Sequence, residues 1–130
     1  MSIRSSYSFA CAAFAALVAV ASTAGCFSER VAGADDTEPT AAELCNGTQA
    51  NVVRIREYAF GPTSLQVSAG TKVYFANCDV DTHTSTSDAG VWDSGSLSPN
   101  TVYSRVFDAA GSYPYHCDPH PFMKGTVVVN

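Results

Sequence analysis

The sequence predicts an all-β fold, a Greek-key β-sandwich of about seven or eight strands, after an exported N-terminal segment. Three observations carry this. Short alternating apolar and polar segments follow one another from residue 51 onward, Gly, Pro, Asn and Asp separate them at close intervals, and no helical period of useful length interrupts them. The 130 residues hold one such domain and leave no room for a second. A hydrophobic content of 46% with 7 Phe, 6 Tyr and 1 Trp excludes a wholly disordered chain. The 12 acidic against 7 basic side chains, a formal net charge of -5, argue against a nucleic-acid binder or a polybasic membrane protein.

The strands follow in chain order. Val53 and Ile55 alternate with Arg54 and Arg56, and Leu65 and Val67 with Gln66 and Ser68, so each segment has one apolar and one polar face. Gly70-Thr71 turns into residues 72–76, where Val73 and Phe75 share a face. Residues 101–107 and 112–117 flank the turn Asp108-Ala109-Ala110-Gly111, and Gly125 leads into a final strand at 126–129. Tyr103 and Phe107 look inward, yet Arg105 shares their parity, which leaves the apolar face of that strand open. So small a core is marginal alone, and a bound metal or a disulfide is expected to reinforce it.

Ahead of the domain, residues 9–21 are an unbroken run of 13 apolar residues behind a single base, Arg4, with Ser22, Thr23, Ala24 and Gly25 after it. That is the layout of a secretory signal, and the run is shorter than the roughly 20 residues a membrane-crossing helix needs. Residues 1–25 are therefore read as a signal peptide. Thr23-Ala24-Gly25-Cys26 resembles the bacterial lipoprotein motif in which the cysteine is acylated, with Thr23 where Leu is usual; cleavage nearby that leaves Cys26 a plain thiol is the alternative. Residues 26–44 contain Pro39, carry five acids against one base and show no apolar period. They read as an acidic flexible linker ahead of a folded domain at 45–130.

The segment that speaks to chemistry is Tyr115-His116-Cys117-Asp118-Pro119-His120-Pro121-Phe122-Met123. Cys117, His120 and Met123 bring a sulfhydryl, an imidazole and a thioether into one loop, a donor set that suits copper better than calcium or magnesium. Zinc seldom takes a thioether, so Met123 tips the choice. A further ligand must come from elsewhere, and His83 is the one other histidine besides His116. His116 precedes Cys117 in a strand, so its side chain is expected on the opposite face, away from the same ion.

At these residues the chain resembles a cupredoxin, a small blue-copper protein of the plastocyanin and amicyanin kind. The resemblance covers roughly residues 52–130 and is strongest over Gly111-Ser112-Tyr113-Pro114-Tyr115-His116-Cys117-Asp118-Pro119-His120-Pro121-Phe122-Met123-Lys124-Gly125. The two-residue gap between His120 and Met123 is closer to amicyanin than to plastocyanin. Supporting matches are Tyr58-Ala59-Phe60-Gly61-Pro62, Val67-Ser68-Ala69-Gly70 and Trp92-Asp93-Ser94-Gly95. The resemblance implies one type 1 copper ion, with His83, Cys117 and His120 as equatorial ligands and Met123 as the weak axial one. It also implies that His120, with Pro119, Pro121 and Phe122 around it, is the electron port; the prolines also stiffen the loop. Thr84 stands where the family often has Asn or Ser, and its hydroxyl is expected to pin the ligand loops together.

The expected function is carriage of single electrons between redox partners, such as a cytochrome or an oxidoreductase, by an exported monomer that is periplasmic or lipid-anchored to a bacterial membrane. Four protein ligands leave no open position for a substrate, so no enzymatic activity is expected. The alternative is a periplasmic copper-handling protein, a chaperone or buffer. Asp79, Asp81 and Asp118 lie near the ligands in sequence and are expected to steer a basic partner. Once Cys11 is assigned to the signal, Cys26 to the acylation motif and Cys117 to metal, Cys45 and Cys78 remain, and in an exported chain they are expected to pair; two buried free thiols are the alternative.

Overall fold

The alternating segments become eight strands in the computed structural model, which describes residues 37–130. The expected signal peptide at 1–25, the acylation site at Cys26 and the linker as far as residue 36 lie outside the described residues. In chain order a helix α1 (Ala41–Asn46) precedes β1 (Val52–Arg56), β2 (Ala59–Gly61), β3 (Ser64–Val67), β4 (Thr71–Asn77), β5 (Thr86–Ser87), β6 (Val102–Phe107), β7 (Gly111–His116) and β8 (Lys124–Val129).

The strands form two four-stranded sheets, ordered β2-β1-β4-β6 and β3-β8-β7-β5. β1 runs parallel to β4 and β3 parallel to β8, while the other pairs are antiparallel. The chain changes sheet at every connection from β2 to β7, which closes both sheets over one core in the manner of a Greek-key sandwich. Val53, Ile55, Leu65, Val73 and Phe75, whose alternation marks the strands in the sequence, are all buried there with Phe60, Trp92, Phe107, Tyr115 and Val127.

Arg105 resolves the parity conflict in β6. Its guanidinium carbon lies 5.5 Å from the ring centroids of both Trp92 and Phe107, and Nη1 donates to the Val91 carbonyl at 2.6 Å. β6 is an edge strand, so Arg105 can share the inward parity of Tyr103 and Phe107 and roof the aromatic cluster with its stem and cation.

Helix α1 runs across residue 44, where the sequence suggests the linker gives way to the domain. Thr40 caps the helix: its hydroxyl accepts from Glu43 N at 3.3 Å, while the Glu43 carboxylate accepts from Thr40 N at 2.8 Å. Ala41 is buried, and Leu44 packs with Val52 and Ala76 on the outer face of the first sheet. Arg54, on that same face of β1, donates from Nε to Leu44 O and from Nη2 to Gly47 O, each at 2.7 Å, satisfying carbonyls the helix end leaves over. The sulfurs of Cys45 and Cys78 lie within bonding distance, their Cα atoms 5.7 Å apart, where α1 meets the end of β4.

Tyr115 anchors the core beside the functional loop. Its ring stands edge-on to Phe60 and Phe75 at 4.8 and 5.3 Å. It also covers Gly125, its partner in β8, where any Cβ would collide with the ring. The Tyr115 hydroxyl meets no hydrogen-bond partner among the described residues, and burial pushes its pKa far up. Tyr115→Phe is therefore expected to leave stability unchanged or to raise it by up to about 1 kcal/mol, since no hydrogen bond is lost. Denaturant midpoints of the two proteins give the comparison, and a loss above about 1 kcal/mol contradicts an unpartnered hydroxyl.

Candidate metal centre

β4 delivers the first donor. Its last residue, Asn77, is fully buried and donates from Nδ2 to the carbonyls of Asp81 and Leu97 at 2.7 and 2.8 Å, while its Oδ1 accepts from Asp79 N at 2.9 Å. This fixes the turn leading to His83, which is bridged to Leu97 by backbone hydrogen bonds of 3.1 and 2.8 Å and is fully buried. The β7–β8 connection delivers the others. Within it His120 N donates to Cys117 O at 3.2 Å, Met123 N to His120 O at 2.9 Å, and Cys117 N to Met123 O at 3.2 Å. Consecutive backbone bonds thus wind the i, i+3, i+6 spacing into a tight loop, with Cys117 and Met123 buried and His120 half-buried.

Two distant parts of the chain therefore converge. The Cys117 Sγ lies 3.7 Å from His83 Nδ1 and 3.7 Å from His120 Nδ1, and the donor atoms of the three residues all fall within 4.8 Å of one another. Bonds of about 2.0–2.1 Å to imidazole nitrogen and about 2.3 Å to sulfur, at a trigonal angle of about 120°, set nitrogen and sulfur about 3.8 Å apart, so one ion fits among these atoms. Met123 belongs to the same buried cluster as Cys117.

Thr84 joins the two loops. Its backbone N donates to Cys117 Sγ at 3.3 Å, and its hydroxyl accepts from Asp118 N at 2.8 Å. The Asp118 carboxylate in turn accepts from Thr86 Oγ1 at 2.7 Å, a bond that heads the causes holding its pKa below the usual carboxylate range. His116 stands apart from the three donors, as its parity in β7 requires: Nδ1 meets Asp88 at 2.5 Å and Nε2 meets Asp118 at 3.1 Å. The hydrogen bond to Asp88 first, against desolvation, pushes the His116 pKa up.

Two residues at the site go beyond the sequence reading. Tyr58 stands edge-on to both imidazoles, its ring centroid 5.6 Å from His83 and 5.0 Å from His120, and its hydroxyl donates to Asp81, which raises its pKa. Asp79 is turned inward, its side chain only 10% exposed, and meets His83 Nε2 at 3.3 Å. Of the three carboxylates expected to face a partner, this one instead belongs to a ligand loop. Around His120 the surface is largely apolar: Phe122, 71% exposed, and Tyr58 stand against its ring, and Pro119 and Pro121 are exposed on either side of it in the chain.

Known proteins share this sequence and fold. The family described as copper binding proteins, plastocyanin/azurin family, matches residues 48–130. Amicyanin from Paracoccus denitrificans is 34% identical over 92% of this chain and 92% of its own length. Plastocyanin from the chloroplast of Pisum sativum is 38% identical over 55% of this chain and 52% of its own. Among solved structures, a reduced single-substitution variant of amicyanin superposes with a TM-score of 0.60 at 34% identity, covering 73% of this chain and 95% of that one. A purple cupredoxin from Nitrosopumilus maritimus gives 0.57 at 26% identity, covering 61% and 98%. With the sandwich, the converging His83, Cys117 and His120, and these relatives in agreement, the chain belongs to the plastocyanin/azurin family of copper binding proteins.

Proposed function

We propose that this protein is an exported carrier of single electrons in which His83, Cys117 and His120 hold one type 1 copper ion and Met123 supplies the weak axial thioether. The observation that carries the reading is the assembly of two imidazole nitrogens, each 3.7 Å from one sulfur, drawn from two distant loops. Bound copper supplies a one-electron Cu(I)/Cu(II) couple, tuned by the axial ligand and by hydrogen bonding at the sulfur. The chain's part is to keep the donors still. Thr84 N holds the Cys117 sulfur, the Thr84 hydroxyl locks the Cys117 loop to the His83 loop, and Asn77 braces the turn before His83. Four protein donors leave no open position for a substrate, which suits carriage and not catalysis.

The half-buried edge of His120, with Pro119, Pro121 and Phe122 around it, is the electron port to a redox protein such as a cytochrome or an oxidoreductase. Residues 1–25 direct export, Cys26 carries an acyl anchor, and a disulfide between Cys45 and Cys78 persists in the oxidising periplasm. With Asp79 turned toward His83, Asp81 and Asp118 beside the ligand loops remain to steer a basic partner.

Titration with Cu(II) tests the reading: one equivalent is expected to develop the intense blue charge-transfer band, and a colourless product defeats it. Mixed with a basic cytochrome, the reduced protein is expected to transfer its electron more slowly as salt rises, because exposed charges are screened over about 10 Å at 0.1 M. A rate independent of ionic strength contradicts the steering.

A further inference from the structure

The two imidazoles of the centre are held by different means. His120 has aromatic neighbours, Tyr58 at 5.0 Å and Phe122 at 6.0 Å between ring centroids. His83 has a carboxylate: Asp79 Oδ2 lies 3.3 Å from Nε2, on the far side of the ring from the Nδ1 that faces Cys117. That carboxylate is itself aimed, for Oδ2 accepts from Tyr58 N at 3.1 Å and Oδ1 from Val80 N at 2.7 Å. The Tyr58 donor exists because the two-residue β1–β2 turn, Glu57–Tyr58, has both φ angles positive, 51° and 57°. Such turns ordinarily take Asn-Gly, and a non-glycine residue there is strained. The strained turn directs one backbone N–H at Asp79 and lays the Tyr58 ring against both imidazoles.

We infer that Asp79 is the positioning residue for His83, fixing its ring with Nε2–H outward and Nδ1 toward the metal, and that its charge holds the reduction potential of the centre down; this rests on the copper reading above. A carboxylate on the outer nitrogen fixes the tautomer and raises the basicity of the ligating one. Its negative charge favours the dipositive ion over the monopositive one, and burial of both side chains, 0% and 10% exposed, limits the screening. Asp79 thereby stabilises the oxidised state relative to the reduced state without touching the ion.

The test uses the purified full chain. Asp79→Asn keeps an acceptor for Tyr58 N and His83 Nε2, gives up the one for Val80 N, and removes the charge. It is expected to lower the oxidised-to-reduced ratio at a fixed solution potential by about tenfold, an upward shift of about 59 mV for a one-electron couple. Asp79→Glu, which restores the charge, is expected to shift it less. In the copper-free wild type, nitrogen-15 NMR is expected to show His83 as the Nε2–H tautomer, a readout that needs neither copper nor a variant. A blue wild type whose potential equals that of Asp79→Asn overturns this inference alone, as do equal shifts in Asn and Glu or an Nδ1–H tautomer. A wild type that binds no copper overturns the inference together with the copper reading.

Discussion

Cys117→Ser is expected to abolish the blue band and electron exchange altogether while the copper-free protein keeps its fold. The sulfur is the one soft anionic donor in the cluster, equidistant from both imidazoles, and the charge-transfer absorption requires a copper–sulfur bond. Serine has the same shape with a smaller, shorter-reaching oxygen that can still accept from Thr84 N, so the buried position tolerates the exchange. Visible absorption after Cu(II) addition and far-ultraviolet circular dichroism separate the two effects. A variant that stays blue contradicts the assignment of Cys117, and one that unfolds without copper contradicts a loop wound by its own backbone bonds.

Replacing Cys45 and Cys78 together by Ala is expected to cost about 3–4 kcal/mol, because the 33-residue separation closes a long loop in the unfolded chain. For a domain of this size the melting temperature falls by roughly 12–30 °C. The proposed bridge acts locally as well, since Cys45 and Cys78 lie where α1 meets the end of β4, one residue before Asp79. Below its lowered transition the variant should still take up copper, for the donors are braced separately by Asn77 and Thr84. Thermal melts with and without reductant supply the check: wild type that melts alike in both, or a double variant within about 1 kcal/mol of it, contradicts a stabilising bridge.

The sandwich was legible because alternation is local: Val53 with Ile55, and Val73 with Phe75, announce a face within a few residues, and each is buried as that pattern demands. The candidate loop donors Cys117, His120 and Met123 stand out in the sequence for the same reason, lying within seven residues. His83 is different. Its convergence with Cys117 depends on the whole topology, and in the sequence it stood out through scarcity of histidines and through family resemblance. Helix α1 escaped because six residues are too few to show a period, although Thr40-x-x-Glu43 is a capping signal in plain view. Asp79, Asp81 and Asp118 look equivalent as neighbouring charges. Folding gives each a separate partner, His83 for the first, Tyr58 for the second, and Thr84 with Thr86 for the third. Tyr58 was hidden by its turn, since Glu57–Tyr58 lacks the Asn-Gly chemistry that positive φ usually announces.

The most direct measurement is a crystal structure of the copper-loaded protein. The account predicts one ion bonded by Nδ1 of His83, Nδ1 of His120 and Sγ of Cys117, with the Met123 sulfur on the axis. An ion held without His83, or seated instead among His116, Asp88 and Asp118, contradicts it.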